Sequence, residues 1–311
     1  MTQAGTAPTV AELLLGATDR LRVSGSESAR LDAELLLAHA LGVERTTVLA
    51  HPEARPGSGQ AQSFAAAVER RAAGEPVAYI RGFKEFYGLA FSIDSRALIP
   101  RPETERLVEL AEARVRTVLT GSPRPEDAPP YRVWDLGTGS GAICVALAVV
   151  LRRHGYGDAV ELFASDRSER VLGIAVENAV GHGVADRLTF AAGDMFDVSG
   201  APSTVDLVVS NPPYVPSDAI PGLPIAASFE PRDALDGGPD GLDVVRRLLA
   251  GVPEVLGPEG AALIEIGADQ ADAVLDLAAG ALAGWTARIH EDLAGRPRVL
   301  EVDRGDEGPL S

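Results

Sequence analysis

Only one cysteine, Cys144, stands among the 311 residues, which excludes an internal disulfide. The five histidines (His39, His51, His154, His182 and His290) show no paired metal-ligand spacing, so no structural metal is expected. Long apolar runs are missing too. None approaches the roughly 18 residues that a membrane-spanning helix needs. The opening stretch "MTQAGTAPTVAELLLGATDR" lacks a basic segment and its apolar run is broken by Glu12, which argues against a secretory leader. A soluble, cytoplasmic protein is expected, with a monomer as the default state. Basic residues are in the minority: 28 Lys and Arg against 45 Asp and Glu, a net charge of −17. That balance opposes sequence-independent binding to phosphate backbones and lowers the expectation of a nucleic-acid substrate, although it leaves room for a local basic patch.

What the chain does have is enough length and an ordinary 46% hydrophobic content for one large or two smaller domains. Three parts are expected. Residues 1–80 read as a helical bundle, because "APTVAELLLGATDRL", "SESARLDAELLLAHALG" and "GSGQAQSFAAAVERRAAG" carry apolar residues at helical spacing between Gly, Ser and Pro breaks. Ser26 or Ser28 is placed to cap the second of these helices and Gly42 to end it. Residues 81–130 read as a hairpin around Gly82 and Gly88, a helix opening near Pro102, and the Pro-rich connection "LTGSPRPEDAPP". Residues 131–311 alternate strand and helix signals.

Seven strands are expected in that last part, at 132–136, 160–165, 187–192, 205–210, 261–266, 285–290 and 298–302. Helices fall at 141–153, 168–181, 242–255 and 268–282. The pattern implies an α/β fold, a Rossmann-like, mostly parallel sheet with a late antiparallel hairpin and helices on both faces. Ligands of such sheets bind at the carboxyl ends of the strands, where "DLGTGSG" and "NPPY" both fall.

"VWDLGTGSGAICVALA" is a strand, a glycine turn and a helix. Gly137, Gly139 and Gly141 permit positive φ and close approach of a ligand, with Thr138 and Ser140 between them, and the helix start offers N–H groups. The relaxed dinucleotide fingerprint also fits, as Gly137-x-Gly139-x-x-Ala142. Two carboxylates favour S-adenosylmethionine instead. Asp135 precedes the first glycine, suited to an ammonium and repulsive to a pyrophosphate; Asp166 closes the second strand, suited to ribose hydroxyls or to capping the next helix. After the third strand, Asp194 could take an adenine amine, with Met195 and Phe196 flanking the ring or packing in the core.

The stretch "VDLVVSNPPYVPSD" ends a strand in a corner that two prolines make rigid and poor in donors. A planar NH₂ group, as in an amide or a nucleobase, is a weak nucleophile because its lone pair is delocalised. Acceptors that fix its two N–H bonds can aim the nitrogen at a methyl donor. Asn211 supplies a side-chain carbonyl, Pro212 a backbone carbonyl, Pro213 rigidity, and Tyr214 a ring that can stack on the flat group. Asn211, Pro212 and Tyr214 are the catalytic candidates; Asn211 to Tyr214 form the substrate grip.

Together with "RLDAELLLAHALG", "PVAYIRGFKEFYGLAF", "ALIPRPETERLVE", "ALDGGPDGLD" and "EIGADQ", these motifs make nearly the whole chain resemble the HemK/PrmC protein-glutamine methyltransferases. The resemblance implies methyl transfer from S-adenosylmethionine, with S-adenosylhomocysteine as product, to the glutamine amide of the Gly-Gly-Gln motif in peptide-chain release factors. It implies a cofactor site at Gly137 to Gly141, Asp166, Met195 and Asn211, and a helical N-terminal region that docks the release factor. "PIAASFEP" lacks the family's usual Glu-Val pair, and Arg101 has two candidate partners, the cofactor carboxylate or Glu265. An amino-methyltransferase acting on adenine or guanine shares the NPPY tetrapeptide, as the rival reading, and a cofactor-binding regulator without catalysis is a third.

Overall fold

The computed structural model describes residues 7–121 and 129–304. Most of the Pro-rich connection expected after residue 118 lies outside the described residues. Two compact units are present, one made of residues 1–83 and 223–229, the other of residues 84–222 and 230–311.

The first unit is helical: α1 (Val10–Val23), α2 (Ala29–Leu41), α3 (Arg45–Ala50), α4 (Ser58–Ala72) and α5 (Val77–Arg81). Thr9 and Glu12 form a reciprocal capping box that starts α1. Gly42, at φ 68°, ends α2 as expected. Leu14, Leu21, Leu36, Leu37 and Phe64 meet in its core. The serine expectation needs correction. Ser28 stands at the start of α2 but makes no capping bond, and the Ser26 and Ser28 hydroxyls both donate to Asp32. Asp32 is buried and also accepts from Arg71, so the serines complete the shell of a buried charge rather than cap a helix. Glu34, equally buried, is held between Arg30 and Arg45.

In the second unit, save for Phe83, β1 (Phe83–Phe86) and β2 (Leu89–Ser92) form a hairpin turned at Tyr87 (φ 52°) and Gly88 (φ 69°). Two left-handed residues in succession match the twist of a two-residue hairpin. Then come α6 (Glu105–Gly121), β3 (Tyr131–Leu136), α7 (Ala142–Arg153), β4 (Val160–Asp166), α8 (Glu169–Gly181), β5 (Leu188–Asp194), β6 (Asp197–Val198) and β7 (Val205–Ser210). The rest is α9 (Asp243–Val255), β8 (Leu256–Glu265), α10 (Ala271–Ala281), β9 (Thr286–Glu291) and β10 (Pro297–Asp303). The large sheet runs β6-β5-β4-β3-β7-β8-β10-β9. Its centre is parallel, and β10 runs antiparallel to both β8 and β9. Alternation along β3 splits the core: Val133 packs with α6, α7 and α8 on one face, Trp134 with α9 and α10 on the other.

Two details depart from the expected sheet. An eighth strand, β6, is only two residues long, too short for any periodicity to reveal, and folds back on β5 with Gly193 opposite Val198. Strand β8 begins at Leu256, five residues earlier than expected, because Gly257, Pro258 and Gly260 read as a loop while in the structure they form an irregularity within β8, between Leu256 opposite Val205 and Ala261 opposite Leu207. The order reverses beside β3: the chain leaves it toward β4 and β5, then returns to its other side as β7. Strand ends flanking such a switch form the ligand crevice of doubly wound sheets.

Candidate active site

A cavity of about 840 Å³ opens at that switch, within the size range of small-molecule sites. Gly137 to Ser140, Asp166, Met195, Asn211, Pro212 and Pro213 all line it. The structure thus brings together nearly every residue singled out from sequence. Gly141 and Tyr214 do not line it.

The glycine loop explains its own composition. Gly137, Gly139 and Gly141 all have positive φ, at 72°, 56° and 79°. A Cβ on Gly137 or Gly139 would meet nothing within 4 Å, whereas one on Gly141 would lie 3.0 Å from the Ala175 side chain. The first two glycines keep the cavity floor bare; the third lets α8 approach. Several of the loop's N–H groups are spent inside. Gly137 and Thr138 donate to the Ser165 carbonyl, Gly139 to Asp166, and Gly141 to the Thr138 carbonyl. These bonds fix the loop's shape from within.

Asp135 accepts from the Thr138 hydroxyl at 2.6 Å and from the Cys144 N–H at 3.2 Å. It is buried and not among the lining residues, and it braces the loop from below. Its Oδ1 is buried without a partner. Burial pushes its acidity to about 6, against the pull of the Thr138 and Cys144 hydrogen bonds. The Cys144 thiol beneath it is also held well above its usual pKa by burial and by that carboxylate. Asp166 accepts from Gly139 through Oδ2 and from Ser168 through Oδ1, yet still lines the cavity; each oxygen retains a lone pair for a ligand hydroxyl. The helix cap expected of Asp166 is instead Ser168, whose hydroxyl accepts from the Val171 N–H at the start of α8.

Asp194 lines the cavity paired to Arg247 at 2.7 Å, and Met195 lines it in a left-handed conformation, φ 56°. Phe196 turns away. Its ring stands edge-on to Trp134, 5.7 Å between centroids, so it belongs to the core rather than to the site.

At the end of β7, Asn211 donates through Nδ2 to the Thr104 hydroxyl at 3.1 Å, while its Oδ1 is buried with no partner. Pro212 is buried and Pro213 partly so. Tyr214 fastens the corner from behind through its carbonyl, which accepts from the Gln270 side chain at 3.1 Å. Its hydroxyl is pushed up to about 12 by burial and by the Glu265 charge. Arg101 pairs with Glu230 at 2.7 Å, and the buried Glu230 also accepts from the Ile99 N–H at 3.1 Å. Of the two partners expected from sequence, Glu265 is not taken. The sequence reading also missed Thr104, Arg247 and Asn178. Asn178, buried in α8, donates to the Ser140 carbonyl and exchanges hydrogen bonds with Ser92 on β2. The only signal for Thr104 was its place in "LIPRPETE".

Residues 12–82 match the PrmC N-terminal domain and residues 128–273 a methyltransferase domain. A release factor glutamine methyltransferase of Moorella thermoacetica is 40% identical over 96% of this chain and 100% of its own length. The chain belongs to the release factor glutamine methyltransferase family. A second member, from Rhodopirellula baltica, is 38% identical over 95% of this chain and 96% of its own. Among solved structures, the hMettl16 catalytic domain in complex with the MAT2A 3′UTR hairpin 6 overlays with a TM-score of 0.53 at 15% identity, covering 78% of this chain and 83% of that one. At that identity the likeness is one of fold. Membership makes this chain a methyltransferase, and its strand-end cavity is the part of the family fold where Asn211 and the glycine loop converge. Among the described residues no helix is long and apolar enough to cross a membrane, and no cluster of three His, Cys, Asp or Glu could hold a metal ion.

Proposed function

We propose that the chain methylates the side-chain amide nitrogen of the glutamine in the Gly-Gly-Gln motif of peptide-chain release factors, with S-adenosylmethionine as donor. One observation carries the reading: Asn211 has its Nδ2 tied to Thr104 and its Oδ1 buried and unpartnered at the cavity. A buried acceptor without a donor costs on the order of 1–3 kcal/mol, and a substrate N–H relieves that cost. The cavity fits the cofactor: the bare floor at Gly137 and Gly139, the lone pairs of Asp166 for ribose hydroxyls, and Met195 against a flat ring. S-adenosylmethionine, when bound, supplies an electrophilic methyl group on a sulfonium.

Asn211 Oδ1 accepts one N–H of the substrate amide, and the Pro212 carbonyl is the acceptor for the second. With both N–H directions fixed, the nitrogen is aimed at the methyl carbon. The C–N bond forms as the C–S bond breaks, and the nitrogen then sheds one proton to solvent. No strong base is needed for that loss, and the acceptors favour the positive charge that develops on nitrogen. The relatives' names supply the substrate class.

The test is peptide mass spectrometry of an unmodified release factor incubated with the protein and S-adenosylmethionine. One methyl on the Gly-Gly-Gln glutamine is expected, and its loss by about 100-fold in Asn211→Ala with cofactor binding retained. An unmodified glutamine beside measurable cofactor binding overturns the substrate and turns the search to nucleobase amines.

A further inference from the structure

Asn211 offers its Oδ1 to a substrate only while its Nδ2 is held elsewhere, and the Thr104 hydroxyl holds it at 3.1 Å. Thr104 is buried beside the cavity, at the end of a single 3₁₀ turn, Pro102–Thr104. Its place depends on what fixes that turn. The stretch leading into it, Ile99-Pro100-Arg101-Pro102, is poor in backbone donors because two of its four residues are prolines.

Glu230 pins this stretch. Its Oε2 accepts from the Ile99 N–H at 3.1 Å, and its Oε1 accepts from the Arg101 guanidinium at 2.7 Å. The Glu230 side chain is 3% exposed and that of Arg101 35%. Pro100, between the two donors, has its φ fixed by its ring, so two bonds to one carboxylate hold the stretch as a unit. The Arg101 carbonyl then accepts from the Thr104 N–H at 3.1 Å and closes the turn. An unbroken path of hydrogen bonds thus runs from Glu230 through Arg101 and Thr104 to Asn211.

We infer that Arg101 and Glu230 are positioning residues for methyl transfer: their pair holds Thr104 where it turns the Asn211 carbonyl toward the substrate. The assignment rests on the methyl-transfer reading above for its use, though not for its geometry. Neither residue lines the cavity, so both act through Thr104. A carboxylate suits the task because it offers an acceptor to each donor. A glutamine amide has one oxygen, so in Glu230→Gln its NH₂ must face either the Ile99 N–H or the Arg101 guanidinium, donor against donor.

Three variants test the pair in the intact protein. In Arg101→Ala and Glu230→Gln, kcat should fall about tenfold or more while S-adenosylmethionine affinity by calorimetry stays within about threefold. Arg101→Lys keeps the charge and a donor, and should recover kcat to within about threefold of the parent. Because the Arg101 side chain is partly open to solvent, millimolar guanidinium should restore Arg101→Ala severalfold, and sodium chloride at equal ionic strength should not. A general loosening of the fold would answer to neither the lysine nor the guanidinium. A readout independent of turnover is the Asn211 side-chain NH₂ signal in ¹H–¹⁵N NMR, identified by its absence in Asn211→Asp. It should move in Arg101→Ala and return in Arg101→Lys. Should Glu230→Gln not fold, the two Arg101 variants carry the test unchanged. An Arg101→Ala enzyme with kcat within about twofold of the parent and an unmoved Asn211 signal overturns the assignment. A parent enzyme inactive on release factor whose Asn211 signal still moves in Arg101→Ala supports the positioning and overturns the substrate instead.

Discussion

Gly137 and Gly141 stand four residues apart in one loop at nearly the same φ, and they answer to different constraints. Substituting alanine at either forces a side chain into the left-handed region, at a cost of roughly 1–2 kcal/mol. At Gly141 the new Cβ also meets Ala175 at 3.0 Å, backed by that residue's Cα at 3.1 Å, so α7 and α8 must part. Gly141→Ala is expected to lower stability by about 2–4 kcal/mol, read from the denaturation midpoint. Gly137→Ala meets open space and should lose less than half as much, yet weaken cofactor binding at least about tenfold by calorimetry, because its methyl enters the cavity. The sequence announced three glycines alike. It carried no sign of which one faces a ligand and which a helix, since Ala175 lies 34 residues downstream.

At the scale of elements, the alternation of strands and helices was legible because a parallel sheet buried on both faces leaves long apolar runs, as in β3, β7 and β8. What was not legible is the set of polar side chains that join those elements across large chain separations. Thr104 and Asn211 are 107 positions apart, Arg101 and Glu230 129, and Ser92 and Asn178 86. Nothing local marks such pairs, and Arg101 shows it plainly: Glu265, the protein partner offered from sequence, is passed over for Glu230. Asn178 shows the consequence for dynamics. Its side chain ties β2, α8 and the glycine loop together through Ser92 and Ser140. Asn178→Ala leaves those backbone groups without partners, at about 2–3 kcal/mol. Hydrogen exchange should register it as lost protection at the Ser92 amide, with the distant strand β10 unchanged.

For the whole molecule, two buried carboxyls set a pH dependence that opposes the usual one. Asp135 and Glu265 have folded-state pKa values of about 6 and about 7, above their ordinary 3.8 and 4.5. A raised carboxyl pKa means that the folded state binds protons more tightly than the unfolded one. The stability from these two groups is present in full below their unfolded values and is lost as pH climbs through 6 and 7. Replacing Glu265 with Gln is therefore expected to raise the melting temperature by a few degrees at about pH 8 and to leave it nearly unchanged at about pH 5, the reverse of what removing a paired surface carboxylate does. A melting temperature that drops at both pH values would show that the charge is compensated in the fold.

The helical unit is not a continuous stretch of chain. It takes residues 1–83 and then recruits 223–229, where Ile225 packs its methyls against the bare Cα of Gly74. A Cβ at Gly74 would sit 2.9 Å from that side chain, so glycine at 74 and isoleucine at 225 are matched surfaces coded 151 positions apart. Recombination between family members has to respect this. A chimaera that exchanges the N-terminal segment at Phe83 carries one half of the match and leaves the other behind. A viable one exchanges two separate pieces of the gene, and drift at either site is felt first at the other.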